Sequence, residues 1–128
     1  MSSRDAALLV ALAFVLAPLS SAQARVALVA GGTPELVLLN VTTDRVVTRL
    51  ALPAASTAVA VDGDGVRGFV AAGSTVIAID VNQRTETVRR ALGGTAIAGL
   101  VVSPDGHRLF AVHGRRLRVL RALSLIHI

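Results

Sequence analysis

An internal repeat of about 40 residues runs along this chain. Phe69 recurs as Phe110 at an offset of 41, together with the residues around it. Residues 76–81 match residues 36–41 at an offset of 40. A period of this length, built from short strands, is typical of architectures in which one supersecondary unit is stacked many times. The repeat therefore predicts an all-β chain made of equivalent units.

Short apolar runs between turn residues define the strands of the middle unit. They cover residues 57–61, 68–72, 75–81 and 86–91. The central two runs are almost continuously apolar, which indicates a sheet that is buried on both faces. Stacking four-stranded sheets side by side buries both faces, so we predict a β-propeller. A flat β-sandwich is the alternative, and the fixed period argues against it.

The repeat resembles the YVTN-type β-propeller repeat, whose family includes surface-layer-like proteins and relatives of the methylamine dehydrogenase heavy chain. The matching positions are the turn Ser103-Pro104-Asp105-Gly106, Phe69 and Phe110 at the Tyr of the pattern, and Asn40 and Asp80 at its strand-ending Asp. Ala72 and His113 depart from the pattern, because they stand where the family usually has Asn. The resemblance covers residues 25–122 and implies a ring of six or seven blades.

Residues 1–24 have the pattern of a secretory signal peptide. Arg4 supplies the charged start, residues 6–17 form the apolar run AALLVALAFVLA, and small residues follow Pro18. This run is too short to cross a bilayer of about 30 Å as a helix. We expect cleavage after Ala22 or Ala24, a secreted or periplasmic location, and no membrane span after cleavage. An uncleaved anchor and a buried helix are the alternatives.

The predicted strands do not complete a ring. Blade one (25–53) lacks its first strand, blade two (54–93) has four, and blade three (94–122) lacks its fourth. Closed propellers use about four to eight four-stranded blades, so we predict an incomplete propeller, the N-terminal fragment of a longer one. Residues 123–128 fit the strand pattern poorly, and we expect a non-native tail encoded by a sequencing adapter. An ordinary outer strand is the alternative there.

The sequence offers few residues for chemistry. It has no Cys, which removes disulfides and thiolate metal sites. Propellers can hold metals or haem through one residue per blade, so His113 is the single candidate ligand, although a strand-end histidine at a tight turn is the simpler interpretation. His107 follows a turn, and His127 falls in the suspected tail. Residues 62–65 resemble half of a calcium loop, but Gly73 stands where the EF-hand requires Glu, and turn formation accounts for these residues. We therefore predict no catalytic, cofactor-binding or metal-ligating residues and no cofactor.

The net charge of +5 raises the question of nucleic-acid binding. The basic residues near the end of the chain are Arg108, Arg115, Arg116, Arg118 and Arg121. No aromatic residues suited to base stacking alternate with them. We therefore interpret the arginines as solvated loop and strand-edge residues and predict no nucleic-acid partner.

Three functions agree with an exported propeller. The first is a non-catalytic binding or scaffold module for an unknown protein or small molecule. The second, which the family resemblance implies, is a subunit or accessory protein of a periplasmic quinone- or haem-linked redox system. The third is a lactonase-type hydrolase. Fold alone does not choose among them.

Overall fold

The computed structural model describes residues 11–14 and 26–125, and the described chain is all-β. Its eleven strands are β1 (Ala11–Phe14), β2 (Val26–Ala30), β3 (Glu35–Asn40), β4 (Arg45–Ala51), β5 (Ser56–Val61), β6 (Arg67–Ala72), β7 (Thr75–Asp80), β8 (Thr85–Ala91), β9 (Ile97–Val102), β10 (Arg108–His113) and β11 (Arg116–Arg121). In the middle unit, each of the strands β5 to β8 begins and ends within one residue of the predicted strand. The described part holds no helix long and apolar enough to span a membrane.

The strands form three antiparallel sheets in simple sequential order. Blade one is β1-β2-β3-β4, blade two is β5-β6-β7-β8, and blade three is β9-β10-β11. The first strands of the three blades lie next to one another, β1 beside β5 and β5 beside β9. The blades therefore share an inner edge, as in a propeller, and the described residues form an open arc of the ring.

Two kinds of turn repeat from blade to blade. In blade two, the Asp62 carboxylate accepts hydrogen bonds from the backbone N–H groups of Val66 (3.0 Å) and Arg67 (3.2 Å). In blade three, the Ser103 hydroxyl accepts the equivalent bond from the N–H of Arg108 at 3.0 Å. The next hairpin has Gly73 or Gly114 at its first central position, with φ of 63° and 61°. A positive φ there is what a type II′ hairpin turn requires.

The middle blade is covered on both faces, which confirms the interpretation of its apolar runs. One side of β6 and β7 packs against blade one, and the other packs against blade three. The residues toward blade one are Val70, Ala72, Ile77 and Ile79, and those toward blade three are Phe69, Ala71, Val76 and Ala78. Every one of these side chains is at most 1% exposed.

Blade three is covered on one face only within the described residues. Its outward face exposes Val101, Val112 and Leu117, which are 61%, 43% and 60% exposed. These residues lie 41 positions after Ala60, Ala71 and Val76, the residues with which blade two covers blade three. The open face is thus the repeat's own blade-packing surface.

The structure differs from the ten predicted strands by one additional strand, β1. This strand lies within the predicted leader and pairs antiparallel with β2, with Ala11 opposite Ala30 and Phe14 opposite Ala27. The edge of β2 is otherwise unpaired, and an extended segment satisfies its backbone hydrogen-bonding groups. Blade one therefore has a first strand in this structure, contrary to the prediction. The signal peptide itself remains a prediction, and residues 1–10 and 15–25 lie outside the described residues.

Residues 122–125 form the third turn of blade three. The N–H of Leu125 donates to the carbonyl of Arg121 at 2.7 Å, as Arg84 does to Asp80 at 2.7 Å in blade two. Leu125 is fully buried among the residues that join blades two and three. The segment from 123 thus begins as a turn of the repeat. Its non-native origin remains a prediction, and residues 126–128, including His127, lie outside the described residues.

Candidate functional site

Two connectors lead from the outer strand of one blade to the inner strand of the next. We call the contact of blades one and two, with connector 52–55, the first junction. The contact of blades two and three, with connector 92–96, is the second junction. Equivalent backbone hydrogen bonds hold both connectors. At the first junction, Leu52 N–H donates to Pro34 O (2.9 Å) and Ser56 N–H donates to Thr33 O (2.9 Å). At the second junction, Leu92 N–H donates to Ser74 O (2.9 Å) and Ile97 N–H donates to Gly73 O (2.8 Å).

The second junction holds a cavity of about 470 Å³. Its walls are residues 92–95 of the connector, residues 113–116 of the β10–β11 hairpin, and Arg118 of β11. A concave site of this size with a few converging polar groups is what small-molecule sites in proteins usually present.

His113 forms part of the cavity wall and is almost completely buried. It is 5% exposed, and neither ring nitrogen has a hydrogen-bond partner among the described residues. Its ring lies against the connector, since a Cβ added at Gly94 would stand 3.8 Å from the His113 Cε1 atom. Buried polar groups are almost always satisfied, so two orphaned nitrogens on one ring are an exception that requires an explanation.

Three arginines complete the cavity wall. Arg115 and Arg116 are exposed, and Arg118 is half-buried. None of the three forms an ion pair within the described part of the chain. The two ion pairs found there lie elsewhere, Arg49 with Glu35 (3.3 Å) and Arg89 with Glu86 (2.7 Å).

The other predicted candidates lie apart from this cavity. His107 is exposed at the opposite end of β10, where it lines a separate cavity of about 370 Å³ with Arg108 and Arg121. Asp62, Asp64 and Asp105 line a small cavity of about 100 Å³ between neighbouring turns. They belong to the calcium-like segment and its counterpart in blade three. Across residues 11–14 and 26–125, no group of three metal-ligating side chains converges.

Hydrogen bonds in the turn lower the pKa of the Asp105 carboxyl from its ordinary value. The larger cause is the bond from the Ser103 hydroxyl at 2.6 Å, followed by the bond from the His107 N–H at 2.9 Å. These contacts are local to the turn. They support the interpretation of this Asp as a turn residue.

Sequence reasoning singled out His113 but missed the groups that meet it. Arg116, Arg118 and the connector glycines Gly93 and Gly94 carry no motif of their own. The available signal was a comparison of matched repeat positions, where an apolar residue of blade two becomes basic in blade three.

Comparison with known proteins identifies the fold and nothing narrower. No protein-family model matches the chain, and no curated protein matches it. Among solved structures, Kuenenia stuttgartiensis hydrazine synthase is similar with a TM-score of 0.76 and 17% identity, over 91% of this chain and 34% of that one. The β-propeller domain of Myceliophteria thermophila Cps50 (Swd1) is similar with a TM-score of 0.70 and 14% identity, over 80% of this chain and 34% of that one.

The chain spans about a third of the length of the structures it matches. At these identities the likeness concerns backbone architecture alone. The equivalent sheets, their shared inner edge and these neighbours agree with one another. The described residues are consecutive blades of an unclosed β-propeller.

Proposed function

We propose that this chain is an exported β-propeller binding module that takes a small ligand in the cavity of the second junction. The observation that carries the proposal is His113, whose two ring nitrogens lie buried in the cavity wall without a partner. A ligand group that reaches either nitrogen would satisfy it.

The lining supports binding and orientation. It offers guanidinium groups, an imidazole, the Thr95 hydroxyl and the Gly93–Gly94 backbone. Groups of this kind hold a ligand through hydrogen bonds at fixed positions. The YVTN repeat type is part of the proposal, and the Ser103-Pro104-Asp105-Gly106 turn supports it.

A fragment screen by NMR on the full chain tests the binding site. We expect bound fragments to shift the backbone signals of Gly93, Gly94 and Gly114 and to leave those of Gly31 and Gly32 at the first junction unchanged. Recovery of fragments in unaltered form supports a binding module. Binding confined to other surfaces, or chemical conversion of a bound fragment, would contradict the proposal.

Export is tested by expressing the full chain in a bacterium with a periplasm and measuring the intact mass of the periplasmic protein. We expect a species that begins after Ala22 or Ala24. Such cleavage removes β1 and leaves the edge of β2 without the strand that it pairs with here. Retention of the full-length mass in the cytoplasm would overturn the proposed export.

A haem-linked redox role is the second candidate, because an unpartnered buried imidazole is also the usual protein ligand of haem iron. Titration of the chain with hemin tests it. A Soret band that shifts on binding, and that His113→Ala abolishes, would favour this role over the first. An unchanged hemin spectrum would exclude it.

A further inference from the structure

The first junction shows what the repeat normally places where the cavity lies. Ala72 and Ile77, each 1% exposed, fill this region together with Leu52 and Ala54 of the connector. The junction is therefore closed by apolar side chains. Blade three has the equivalent strands and turn, so apolar side chains at the same positions would also fill the second junction.

At the second junction the matched residues have changed in a concerted way. His113 replaces Ala72 and Arg118 replaces Ile77, each at an offset of 41. The connector also has Gly93-Gly94 after its leucine where the first has Pro53-Ala54. Its two anchoring bonds are five residues apart instead of four, from Leu92 to Ile97 rather than from Leu52 to Ser56.

The charge of the new lining has one sign. Arg115 and Arg116 stand where blade two has Ser74 and Thr75. None of the described residues that line the cavity is a carboxylate. Three cationic groups and an imidazole thus converge on one space without a counter-charge.

We propose that this cavity is an oxyanion site, which takes the carboxylate or phosphate group of a small ligand. The inference rests on the proposed binding function and names the ligand chemistry. The fork of N–H donors on a guanidinium matches the two oxygens of a carboxylate or phosphate. An imidazole N–H of His113 is a suitable donor to an anionic oxygen, and that contact would satisfy one of the two orphaned ring nitrogens.

Burial strengthens this recognition. A hydrogen bond to a charged group at a partly buried site is stronger than the same bond at an exposed surface. His113 supplies the buried donor, half-buried Arg118 supplies charge from β11, and the exposed Arg115 and Arg116 draw anions toward the opening.

Titration of the full chain with inorganic phosphate and, separately, with acetate tests the site. We expect each anion to shift the amide signals of Gly93, Gly94 and Gly114 and the ring ¹⁵N signals of His113. The anion that binds with the higher affinity identifies the ligand's anionic group as a phosphate or a carboxylate. Arg118→Ile installs the residue of the closed junction and is expected to weaken binding about tenfold or more, a loss of about 1.4 kcal/mol.

Arg45→Gln is the matched control, because it removes one exposed positive charge from β4, outside the second junction. It should leave the affinity unchanged at constant salt. His113→Ala is a second variant that installs a blade-two residue, and it should also weaken binding, so a folding defect in one variant does not decide the result.

Two outcomes would overturn the inference. Equal weakening by Arg45→Gln and Arg118→Ile would show that net charge, not the cavity, attracts the anions. Binding of neutral fragments in the cavity without binding of phosphate or acetate would refute the oxyanion site and leave the proposed binding function standing.

Discussion

Phe69 and Phe110 occupy the same position in consecutive blades, yet only Phe69 is fully buried. Phe69 packs between blades two and three and has no exposed surface. Phe110 lies on the open face of blade three, beside exposed Val101 and Val112, and is half-buried. The repeat sets which residues are apolar, whereas the presence of a neighbouring blade sets how much each contributes to stability.

The same contrast separates the two junctions. The first is sealed by apolar side chains, and the second has a polar cavity at matched positions. Both junctions keep the same connector bonds. A repeat architecture can therefore change a site's chemistry by replacing side chains and lengthening a connector by one residue, while the strands and the connector bonds are kept.

Truncating the two phenylalanines should change the stability by the greatest amount. Phe69→Ala removes a fully buried ring and leaves a cavity between blades, so we expect a loss of about 3–5 kcal/mol in the free energy of unfolding. Phe110→Ala at the open face should cost about 1 kcal/mol. Urea unfolding followed by circular dichroism measures both. Equal losses would mean that the open face is covered in solution.

A second comparison adds a methyl group at two strand glycines. A Cβ at Gly68 would collide with the fully buried Leu28 side chain of blade one, whereas a Cβ at Gly99 meets nothing within 4 Å. We expect Gly68→Ala to cost about 1–3 kcal/mol of stability through overpacking. Gly99→Ala should change it by less than about 1 kcal/mol. Thermal unfolding of both variants checks this, and an unaffected Gly68→Ala would show a looser first junction.

Much of the fold was predictable because it depends on local pattern. The offset between Phe69 and Phe110 located the blades, and turn residues located most strand ends. The burial of both faces of β6 followed from its continuous apolar run. The pairing of β1 was not predictable, because the same apolar run is compatible with a signal peptide and with a strand. Only the edge of β2, which the three-dimensional structure shows to be otherwise unpaired, favours the strand.

The candidate site was predictable only in part. His113 was identified from its residue type, but its burial depends on the connector that passes over it. The sequence pattern indicated that Arg118 is a solvated arginine, because its position in the cavity depends on which face of β11 meets blade two. The burial of His113 and the position of Arg118 both depend on residues of the neighbouring blade and connector, which the sequence of a single repeat does not contain.

A third comparison concerns the matched turns of blades two and three. Asp62→Ala removes a carboxylate that accepts two backbone N–H groups and should cost about 1–2 kcal/mol. Ser103→Ala removes one neutral acceptor and an exposed donor to the Asp105 carboxylate, and it should cost about 1 kcal/mol. Chemical denaturation ranks the two. A larger loss in the free energy of unfolding for Ser103→Ala would show that the turn of blade three contributes more to stability than the turn of blade two.

The turn of blade three also affects the pKa of the Asp105 carboxyl, and this is a minor change. The Ser103 hydroxyl and the His107 N–H stabilise its carboxylate and lower its pKa in the folded chain. The stabilisation from this group is therefore present above the pKa of the unfolded chain and is lost as the pH falls through the lower folded pKa. Ser103→Ala should raise the Asp105 pKa toward its ordinary value, as measured by the ¹³C shift of the carboxyl against pH. An unchanged pKa in that variant would show that the backbone N–H of His107, and not the Ser103 hydroxyl, is the main donor to the Asp105 carboxylate. The turns of blades two and three would then be more alike in stability than their different acceptors, a carboxylate and a hydroxyl, indicate.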